Sequence, residues 1–311
     1  MKLSGTKKYI IKRFYDMIPT TFGVIALTFI LFNVIGGSPA EVILGKNATP
    51  EAIAAFNHKW GYDLPLYQQF FNFICDIFKG DFGYSLEMNE PVADILKRGI
   101  GPTLSLTVPM MLSGFITAIG LATLAAAYRN KFADKAILLG STILMSVNYV
   151  VWVILGQYFL SYKAAIFPIW GYENAFYLVL PVIIGVFSTL GTDVRFFRTA
   201  ILDELYKPYV LTARAKGLSK TAVMCRHVLR NTLVPVVTYV SLSIPYLFTG
   251  SLMLESFFGI PGLGSISINA IHSSDMSVVR AVVVMGALIY QFVNLTTDLL
   301  YAVVDPRVRL G

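Results

Sequence analysis

The basic segment Leu211-Thr-Ala-Arg-Ala-Lys-Gly217-Leu-Ser-Lys220, followed by Arg226-His-Val-Leu-Arg230-Asn-Thr-Leu-Val-Pro235, lies between two strongly apolar stretches of the chain. The stretch from Tyr209 to Lys216 contains no helix breaker, and Gly217 supplies a C-terminal stop. Ser219 can cap a second helix running through Thr221 to Arg230. The segment therefore predicts two helices joined at a glycine.

The same segment carries more apolar side chains than a solvated loop is expected to have. A solvated loop is usually richer in Asp, Asn and Ser and less helical. The residues alone leave open whether these side chains insert into a partner or only give the loop its own structure. They are Ala213, Ala215, Leu218, Ala222, Val223 and Val228.

The composition of the whole chain indicates an all-α polytopic membrane protein. Its 311 residues are 56% hydrophobic and 14% charged, with a mean hydropathy of +0.66, and such a chain must bury most of its surface in lipid. A membrane-spanning helix needs roughly 20 apolar residues. Six windows meet this requirement, at about Tyr15–Ile35, Thr103–Tyr128, Ala136–Leu160, Ala175–Arg195, Thr232–Leu254 and Val278–Val304. Pro19 is expected near the beginning of the first span, where its nitrogen needs no helical partner.

The lysines and arginines predict that both termini are cytoplasmic. Short basic loops stay on the cytoplasmic side, and cations cluster ahead of the first span, between spans two and three, and between spans four and five, where Asp193 to Arg230 holds eight basic residues. This distribution accounts for most of the +7 net charge. No nucleic-acid partner is expected, and the surroundings of the spans are the lipid bilayer.

The stretch Gly36–Pro102 then lies outside and is too long for a turn. Within it, apolar residues recur at helical spacing after Asp63 and Pro65, which can cap and start a helix. They are Leu66, Tyr67, Phe70, Phe71, Ile74, Ile77 and Phe78. The pattern predicts an amphipathic external helix that lies in the membrane interface or packs over the spans. It would cover the outer ends of the spans, or would also meet an external partner.

The sequence offers no catalytic site, metal site or cofactor site. A phosphate-binding loop needs G-x-x-x-x-G-K-[ST], and Lys220-Thr221 lacks the glycines. The three histidines, His58, His227 and His272, are scattered over both sides of the membrane, so no metal or Ser-His site can be built from them. We expect the chain not to be an enzyme and not to hydrolyse ATP itself.

Candidates for a translocation path are polar residues inside the spans. Small polar residues also mediate ordinary helix packing in lipid, so packing stays the alternative for each of them; Asn and Glu cost more to bury. The selected positions are Asn148, Ser188, Ser243, Glu255 and Asn294. For Asp193 and Asp298 we favour ion pairs with Arg195 and Arg307 near the inner boundary.

Several motifs in chain order resemble the permeases of ABC importers, most of all the dipeptide/oligopeptide/nickel branch. The basic segment Tyr209–Pro235 resembles the coupling loop of that family, whose form Glu-Ala-Ala, three residues, Gly is reduced here to Ala213 and Gly217. The branch usually has Ser-x-Pro at Ser146-Val-Asn148, and without this proline the sequence leaves a kink in the third span open. The other matching motifs are Ile11-Lys-Arg-Phe, Ile18-Pro19-Thr20, Gly80-Asp-Phe-Gly-Tyr-Ser85, Pro91-Val92, Phe167-Pro168, Leu180-Pro181, Glu255-Ser-Phe-Phe-Gly-Ile-Pro-Gly-Leu-Gly264 and Asp305-Pro-Arg-Val-Arg-Leu-Gly311. The first-span pattern and the long outer loop are similar to the B-type subunit of the permease pair.

The resemblance implies a type I ABC importer permease fold in a bacterial or archaeal cytoplasmic (inner) membrane. It implies residues 1–102 as N-terminal tail, first span and external loop, and residues 103–311 as a five-helix core with a cytoplasmic coupling loop at about 199–231. The ATPase-coupling residues would be Thr212, Ala213, Arg214, Ala215, Lys216, Gly217 and Leu218.

The partners implied by the resemblance are a second, C-type permease subunit, two ABC ATPase subunits that bind ATP and Mg, and an extracytoplasmic substrate-binding protein. The expected cargo is a dipeptide or oligopeptide. Nickel chelates, glutathione and peptide antibiotics are alternatives within the branch. A self-contained secondary transporter is an alternative of another class, but the spans offer few of the coupled ionisable residues that it would need.

Overall fold

The computed structural model describes residues 3–35, 48–85, 87–244 and 251–304 and the single positions 40, 44 and 247, with side chains described between residues 15 and 296 except at residue 35. These residues are largely helical, with one short antiparallel hairpin. In chain order the elements are α1 (Leu3–Phe29, extended by the π-helical Ile30–Ile35), α2 (Pro50–Trp60), α3 (Leu66–Lys79), β1 (Tyr84–Ser85), β2 (Glu90–Pro91), α4 (Val92–Ala127), α5 (Phe132–Ser146), α6 (Tyr149–Gly156, extended by the π-helical Gln157–Lys163), α7 (Phe176–Leu205), α8 (Pro208–Ala215), α9 (Lys220–Val223, extended by the π-helical Met224–Val228), α10 (Leu229–Ser243), α11 (Leu252–Phe258), α12 (Leu263–His272) and α13 (Met276–Val304).

The described chain groups into two compact units. One comprises the residues up to Pro102 together with those from Pro261 onward, and the other runs from Thr103 to Ile260. The sequence-based division into 1–102 and 103–311 stays a prediction. The contacts differ from it in placing α12 and α13 with the N-terminal part of the chain.

Among the described residues, four helical segments are long and apolar enough to cross a membrane. They are Tyr15–Val34, Val92–Ala127, Phe176–Leu205 and Met276–Thr296. They coincide with the predicted spans one, two, four and six, and α5 with α6 forms a fifth if that bent pair is one span. The predicted span at Thr232–Leu254 falls partly outside the described residues, so six spans and cytoplasmic termini stay predictions.

Pro19 lies in the interior of α1, not near its beginning. Because α1 starts at Leu3, the proline removes the helical hydrogen bond to the carbonyl of Tyr15. The hydroxyl of Thr20 donates to the carbonyl of Met17 at 2.9 Å. Pro19 lies near the beginning of the span Tyr15–Val34, as predicted, but the expectation that its nitrogen needs no helical partner there is wrong.

The predicted third span is broken. α5 and α6 meet at an angle of 93°, because Val147 and Asn148 have extended backbone and end the first helix. Asn148 Oδ1 accepts a hydrogen bond from Val150 N at 2.9 Å and caps α6. The kink that the sequence left open in the third span is therefore present, and an asparagine cap makes it without the proline of the family pattern.

The stretch that the sequence predicts to be external is mostly helical where it is described. α3 confirms the predicted amphipathic helix, whereas α2 was not predicted. Asp63 does not cap α3, since its carboxylate accepts a hydrogen bond from His58 Nδ1 at 2.8 Å. This bond holds the pKa of Asp63 below its usual value.

In the unit that contains Thr103 to Ile260, α7 lies against α5, α10 and α11. The close approach of α5 and α7 depends on Gly191, since a Cβ at this position would lie 2.5 Å from the carbonyl oxygen of Ser141. α7 extends ten residues beyond the predicted end of the fourth span at Arg195. This extension carries the side chains that position the basic segment.

Candidate functional site

α7 ends at a hydrogen-bonded corner. Glu204, in the last turn, accepts a hydrogen bond from the hydroxyl of Tyr209 at 2.7 Å and forms an ion pair with Lys207. Pro208 is the first residue of α8, where its missing N–H is not needed. Burial, followed by the hydrogen bond to Glu204, raises the pKa of Tyr209, so its hydroxyl keeps its proton at neutral pH. The corner fixes the start of α8 to the end of α7.

One face of α8 is buried in the chain's own core. Val210 and Ala213, three residues apart on one helical face, share an apolar cluster with Phe197 and Ile201 of α7. Ala213 is only 5% exposed. Its side chain therefore anchors α8 and does not reach the surface, although the sequence grouped it with the outward-facing coupling residues.

The opposite face of α8 is exposed. On α8, Leu211 is 62% exposed, and Ala215, four residues further along the same face, is exposed too. Beyond the end of α8, Leu218 is 39% exposed. Thr212, Arg214 and Lys216 are exposed as well. Leu211 was missed as a site residue, although a large apolar residue in helical register with Ala215 could have indicated it.

Gly217 ends α8 in a Schellman motif. Its N–H donates to the carbonyl of Arg214 at 2.9 Å, and the N–H of Leu218 donates to the carbonyl of Ala213 at 3.4 Å. The φ angle of Gly217 is +81°, and a Cβ at this position would meet no atom of the described chain within 4 Å. The glycine is thus required by backbone conformation alone within this chain.

The second helix begins as predicted at a Ser219 cap. Ser219 Oγ accepts a hydrogen bond from Ala222 N at 3.3 Å. Val223 and Val228, which the sequence offered as side chains for insertion into a partner, are buried in the same cluster that holds α8. The turn is therefore anchored on both sides, and residues 214–221 between the anchors are exposed. The predicted helix, glycine, helix arrangement is confirmed.

The exposed turn is cationic. Arg214, Lys216 and Lys220 have no carboxylate within 4 Å in the part of the chain that the structure describes. The turn can therefore form ion pairs with an acidic partner without first breaking a described one.

A buried ion pair joins the loop between α4 and α5 to α7. Arg198 donates from Nε and Nη2 to the two carboxylate oxygens of Asp134, each at 2.7 Å, and Asp134 also accepts from Asn130 N at 2.8 Å. Bidentate pairs of this kind fix orientation as well as distance. The loop between α4 and α5 is thus held, through Asp134, on the helix that carries the turn.

Two of the path candidates, Asn148 and Glu255, are linked through contacts of Tyr149 and Ser251, and both have structural roles. Asn148 caps α6, and the neighbouring Tyr149 hydroxyl lies 2.9 Å from Ser251 Oγ. Glu255 is fully buried, and it accepts hydrogen bonds from Thr103 Oγ1 at 3.0 Å and from Ser251 N at 3.2 Å. The cluster around Ser251 was not visible in the sequence, since Thr103 and Glu255 lie 152 residues apart.

The other path candidates are separated from this cluster or bonded within their own helices. Ser188 donates to the carbonyl of Ile184 at 2.8 Å, and Ser243 donates to that of Tyr239 at 3.1 Å. Asn294 is half-buried in α13, which belongs to the other unit.

The expected ion pair of Asp193 with Arg195 is wrong. Asp193 is buried and accepts a hydrogen bond from the Tyr239 hydroxyl at 2.7 Å, while Arg195 donates to Thr142 Oγ1. Two residues apart on one helix, these side chains point about 160° apart and so lie on nearly opposite sides of α7. The side chain of Asp298 lies outside the described residues.

Comparison with known proteins gives consistent matches over nearly the whole chain. Residues 118–310 match the family model of the binding-protein-dependent transport system inner membrane component, and residues 6–107 match its N-terminal model. The glutathione transport system permease protein GsiC of Escherichia coli (strain K12) is 34% identical over 305 residues, which cover 97% of this chain and 98% of GsiC. The GsiC proteins of Shigella flexneri serotype 5b (strain 8401) and Shigella dysenteriae serotype 1 (strain Sd197) are also 34% identical, with the same coverage.

Proposed function

The chain belongs to the inner membrane components of binding-protein-dependent transport systems and is a permease subunit of an ABC importer of the dipeptide/oligopeptide family; we propose that its exposed turn, residues 212–218, is the part on which an ATPase subunit acts. The observation that carries this proposal is the contrast between the exposed cationic turn and its two buried anchors, Val210 with Ala213 on one side and Val223 with Val228 on the other.

The two buried anchors fix the exposed turn, residues 212–218, rigidly to α7. A turn held at both ends against α7 cannot move without moving that helix, because packed interiors transmit displacement and do not absorb it. When the two ATPase subunits close around ATP, their movement would therefore be transmitted through the turn to α7 and α10. Arg214 and Lys216 would pair with acidic side chains on the ATPase, and Leu211 and Leu218 would enter an apolar depression on its surface.

The separate roles proposed for this chain and for the ATPases rest on the missing phosphate-binding loop in the sequence. We propose that ATP and Mg bind only to the partner ATPases, and that this chain has no catalytic residue, no metal and no cofactor. Its other partners would be a second, C-type permease subunit and an extracytoplasmic binding protein. The distribution of Lys and Arg supports six spans with both termini in the cytoplasm.

For the path itself, we propose that Asn148, Ser188, Ser243, Glu255 and Asn294 lie along or beside the route of the cargo. Asn148 is the most informative of them, because it stands at the bend between α5 and α6. A bend inside a span opens backbone groups toward a cavity, as in other transporters with discontinuous helices.

We propose a short peptide as cargo. The permeases that this chain resembles at 34% identity are named for glutathione, which is itself a tripeptide, so glutathione is the first peptide to test. Nickel chelates and peptide antibiotics are the alternatives. Measuring the affinity of the cognate binding protein for dipeptides, glutathione and a nickel chelate discriminates among them, and tight binding of the chelate alone would reject a peptide cargo.

A charge-reversal experiment tests the coupling role. The double variant Arg214→Glu, Lys216→Glu is expected to weaken retention of the ATPase on the affinity-purified permease at least about tenfold, since like charges facing each other at an interface cost several kcal/mol. ATP-dependent uptake should fall with it. Arg226→Glu, an equally exposed charge reversal in the same loop outside the turn, is the matched control. Equal ATPase retention and uptake in the two variants would reject the proposal.

A further inference from the structure

The external helix α3 presents an apolar face to the spans of its own unit. Phe70, Phe73 and Ile77 pack in one cluster with Ile25 of α1 and Val284 of α13. The ring of Phe70 lies 5.2 Å from that of Phe29. α3 is thus held against the first and last spans by side chains spaced three and four residues apart.

A polar face lies on another side of the same helix. Gln68 and Asn72 are exposed, and Gln69 donates to the carbonyls of Tyr62 and Leu64 at 3.0 and 2.8 Å. Its amide oxygen accepts from Asn33 at 3.3 Å. At 100° per residue, these polar positions fall on an arc away from the packed face.

The third face is an exposed aromatic stripe. Tyr67, Phe71 and Phe78 are 71%, 66% and 84% exposed, and their spacing of 4 and 7 residues places them within about 40° of one another on the helix. The centre of this stripe lies about 100° around the helix from the packed face and about 100° in the other direction from Gln68 and Asn72. It is apolar surface that the described chain itself does not cover.

We propose that α3 lies in the membrane interface and that the stripe Tyr67, Phe71 and Phe78 is covered by lipid acyl chains. The stripe is continuous with the surface of the first span that faces lipid. The ring of Phe70 contacts that of Phe22 at 5.7 Å, and Phe22 is itself 53% exposed inside the span Tyr15–Val34. The apolar surface of that span continues from Phe22 through α3 to the stripe.

The chemistry of the stripe fits this occupant. Aromatic residues are enriched where membrane and water meet, because a ring accepts acyl chains on one side and tolerates headgroups on the other. A helix with an aromatic face and an opposite polar face lies in the plane of the interface. The polar arc with Gln68 and Asn72 would then face water. The choice of the outer leaflet, opposite the basic N-terminal segment, rests on the proposed orientation of the permease.

The position of α3 also determines where the segment that follows it lies. α3 is fixed to α1 and α13 by its packed face and to the bilayer by its aromatic stripe, so the segment that follows it is held at a constant height above the membrane. Residues 80–85 follow α3 directly, and the hairpin β1–β2 leads into α4. A lipid-anchored α3 would therefore position the whole connection between the first and second spans.

Nitroxide accessibility tests the proposal on the complete transport complex. Cys75 and Cys225 are the two native cysteines, and both are replaced by Ser. Single cysteines are then introduced as Phe71→Cys, Phe78→Cys, Gln68→Cys or Asn72→Cys and labelled with a nitroxide. The complexes are reconstituted in nanodiscs of phosphatidylethanolamine and phosphatidylglycerol, and collision with oxygen is compared with collision with a water-soluble nickel chelate.

The expected result is a ratio of oxygen to nickel collisions several-fold higher at positions 71 and 78 than at positions 68 and 72. All four positions are exposed on the same helix, so the control sites differ from the test sites only in face. Equal ratios would mean that the stripe meets water and would overturn the proposal. Shielding of 71 and 78 from both reagents would mean that another protein covers the stripe, and this result would overturn it too.

ATP-driven uptake by the same labelled complexes separates this proposal from the proposed function. Lipid exposure at positions 71 and 78 would support the interfacial helix whether or not the labelled complexes transport. Transport without lipid exposure at these positions would overturn the interfacial helix and leave the proposed permease function standing.

Discussion

Replacing Gly217 isolates the backbone contribution of the turn between α8 and α9. The φ angle of +81° is in the left-handed region, and a Cβ would meet no described atom within 4 Å, so a side chain is penalised by conformation and not by a clash in this chain. For an L-residue this penalty is about 1–2 kcal/mol. It lowers the population of the native turn, relative to rearranged ones, by about 5–30-fold.

The series Gly217→Asn, Gly217→Ala and Gly217→Val should therefore show increasing loss of coupled transport. Asparagine tolerates this conformation best among non-glycine residues, and a β-branched residue tolerates it least. The assay is ATP-dependent uptake in proteoliposomes, normalised to the amount of inserted subunit, which should stay constant. Gly120→Ala is the matched control, since Gly120 also has open space around a Cβ but lacks a positive φ.

Two results would refute this reasoning. If Gly217→Asn is as defective as Gly217→Val, the partner surface rejects any side chain at this position, and steric contact with the partner is the cause. If Gly217→Ala and Gly217→Val both transport normally, the geometry of the turn does not matter for coupling. Normal uptake by stably inserted variants would then also remove the coupling role proposed for residues 212–218.

Three further predictions address the side chains that hold the turn and the bend. Tyr209→Phe removes the hydrogen bond to Glu204 and should destabilise the complex by about 0.5–1.5 kcal/mol, seen as a lower thermal midpoint in detergent. Arg198→Ala leaves the buried Asp134 carboxylate unpaired and should cost about 3–5 kcal/mol, seen as a strong loss of folded protein. Asn148→Ala removes the cap of α6 and should cost about 0.5–2 kcal/mol, whereas Asn148→Pro should be tolerated, because the φ of −60° suits proline.

Matched variants sharpen these three measurements. Tyr206→Phe, at an exposed tyrosine three residues from Tyr209, should leave the thermal midpoint unchanged. The double variant Asp134→Asn, Arg198→Gln should recover part of the loss seen for Arg198→Ala, since no charge is left buried alone. Greater damage by Asn148→Pro than by Asn148→Ala would show that the backbone N–H of residue 148 donates a hydrogen bond that proline cannot make, and would contradict this prediction.

The bend in the third span shows why a local rule can leave a break undecided. The apolar run from Ala136 to Leu160 predicts one span, and without the proline of the family pattern the sequence left a kink within it open. Asn148 breaks the helix because its side-chain amide oxygen accepts the hydrogen bond of Val150 N, which a backbone carbonyl would accept in a continuous helix. Whether an asparagine continues or caps a helix depends on the packing on each side of it, which the sequence of the span does not contain.

The basic segment, residues 209–235, shows the same limit at the level of single side chains. Periodicity and turn chemistry predicted its helices, the stop at Gly217 and the cap at Ser219, and all of these are observed. They did not predict that Ala213 faces inward while Leu211 faces outward. The direction of a short helix is set by what it packs against, here Phe197 of α7.

The sequence by itself determined the membrane class, the position of four spans, the helix, glycine, helix form of the basic segment and the family. These properties depend on hydropathy and on residues close together in the chain, which act in the same way wherever the segment ends up. The tertiary structure alone decided which side chains of the turn are anchors, that Asp193 is bonded to Tyr239, and that Thr103 and Glu255 meet. Those outcomes depend on pairs of residues far apart in sequence, and burial of a polar group selects its partner from whatever the fold brings within hydrogen-bonding distance.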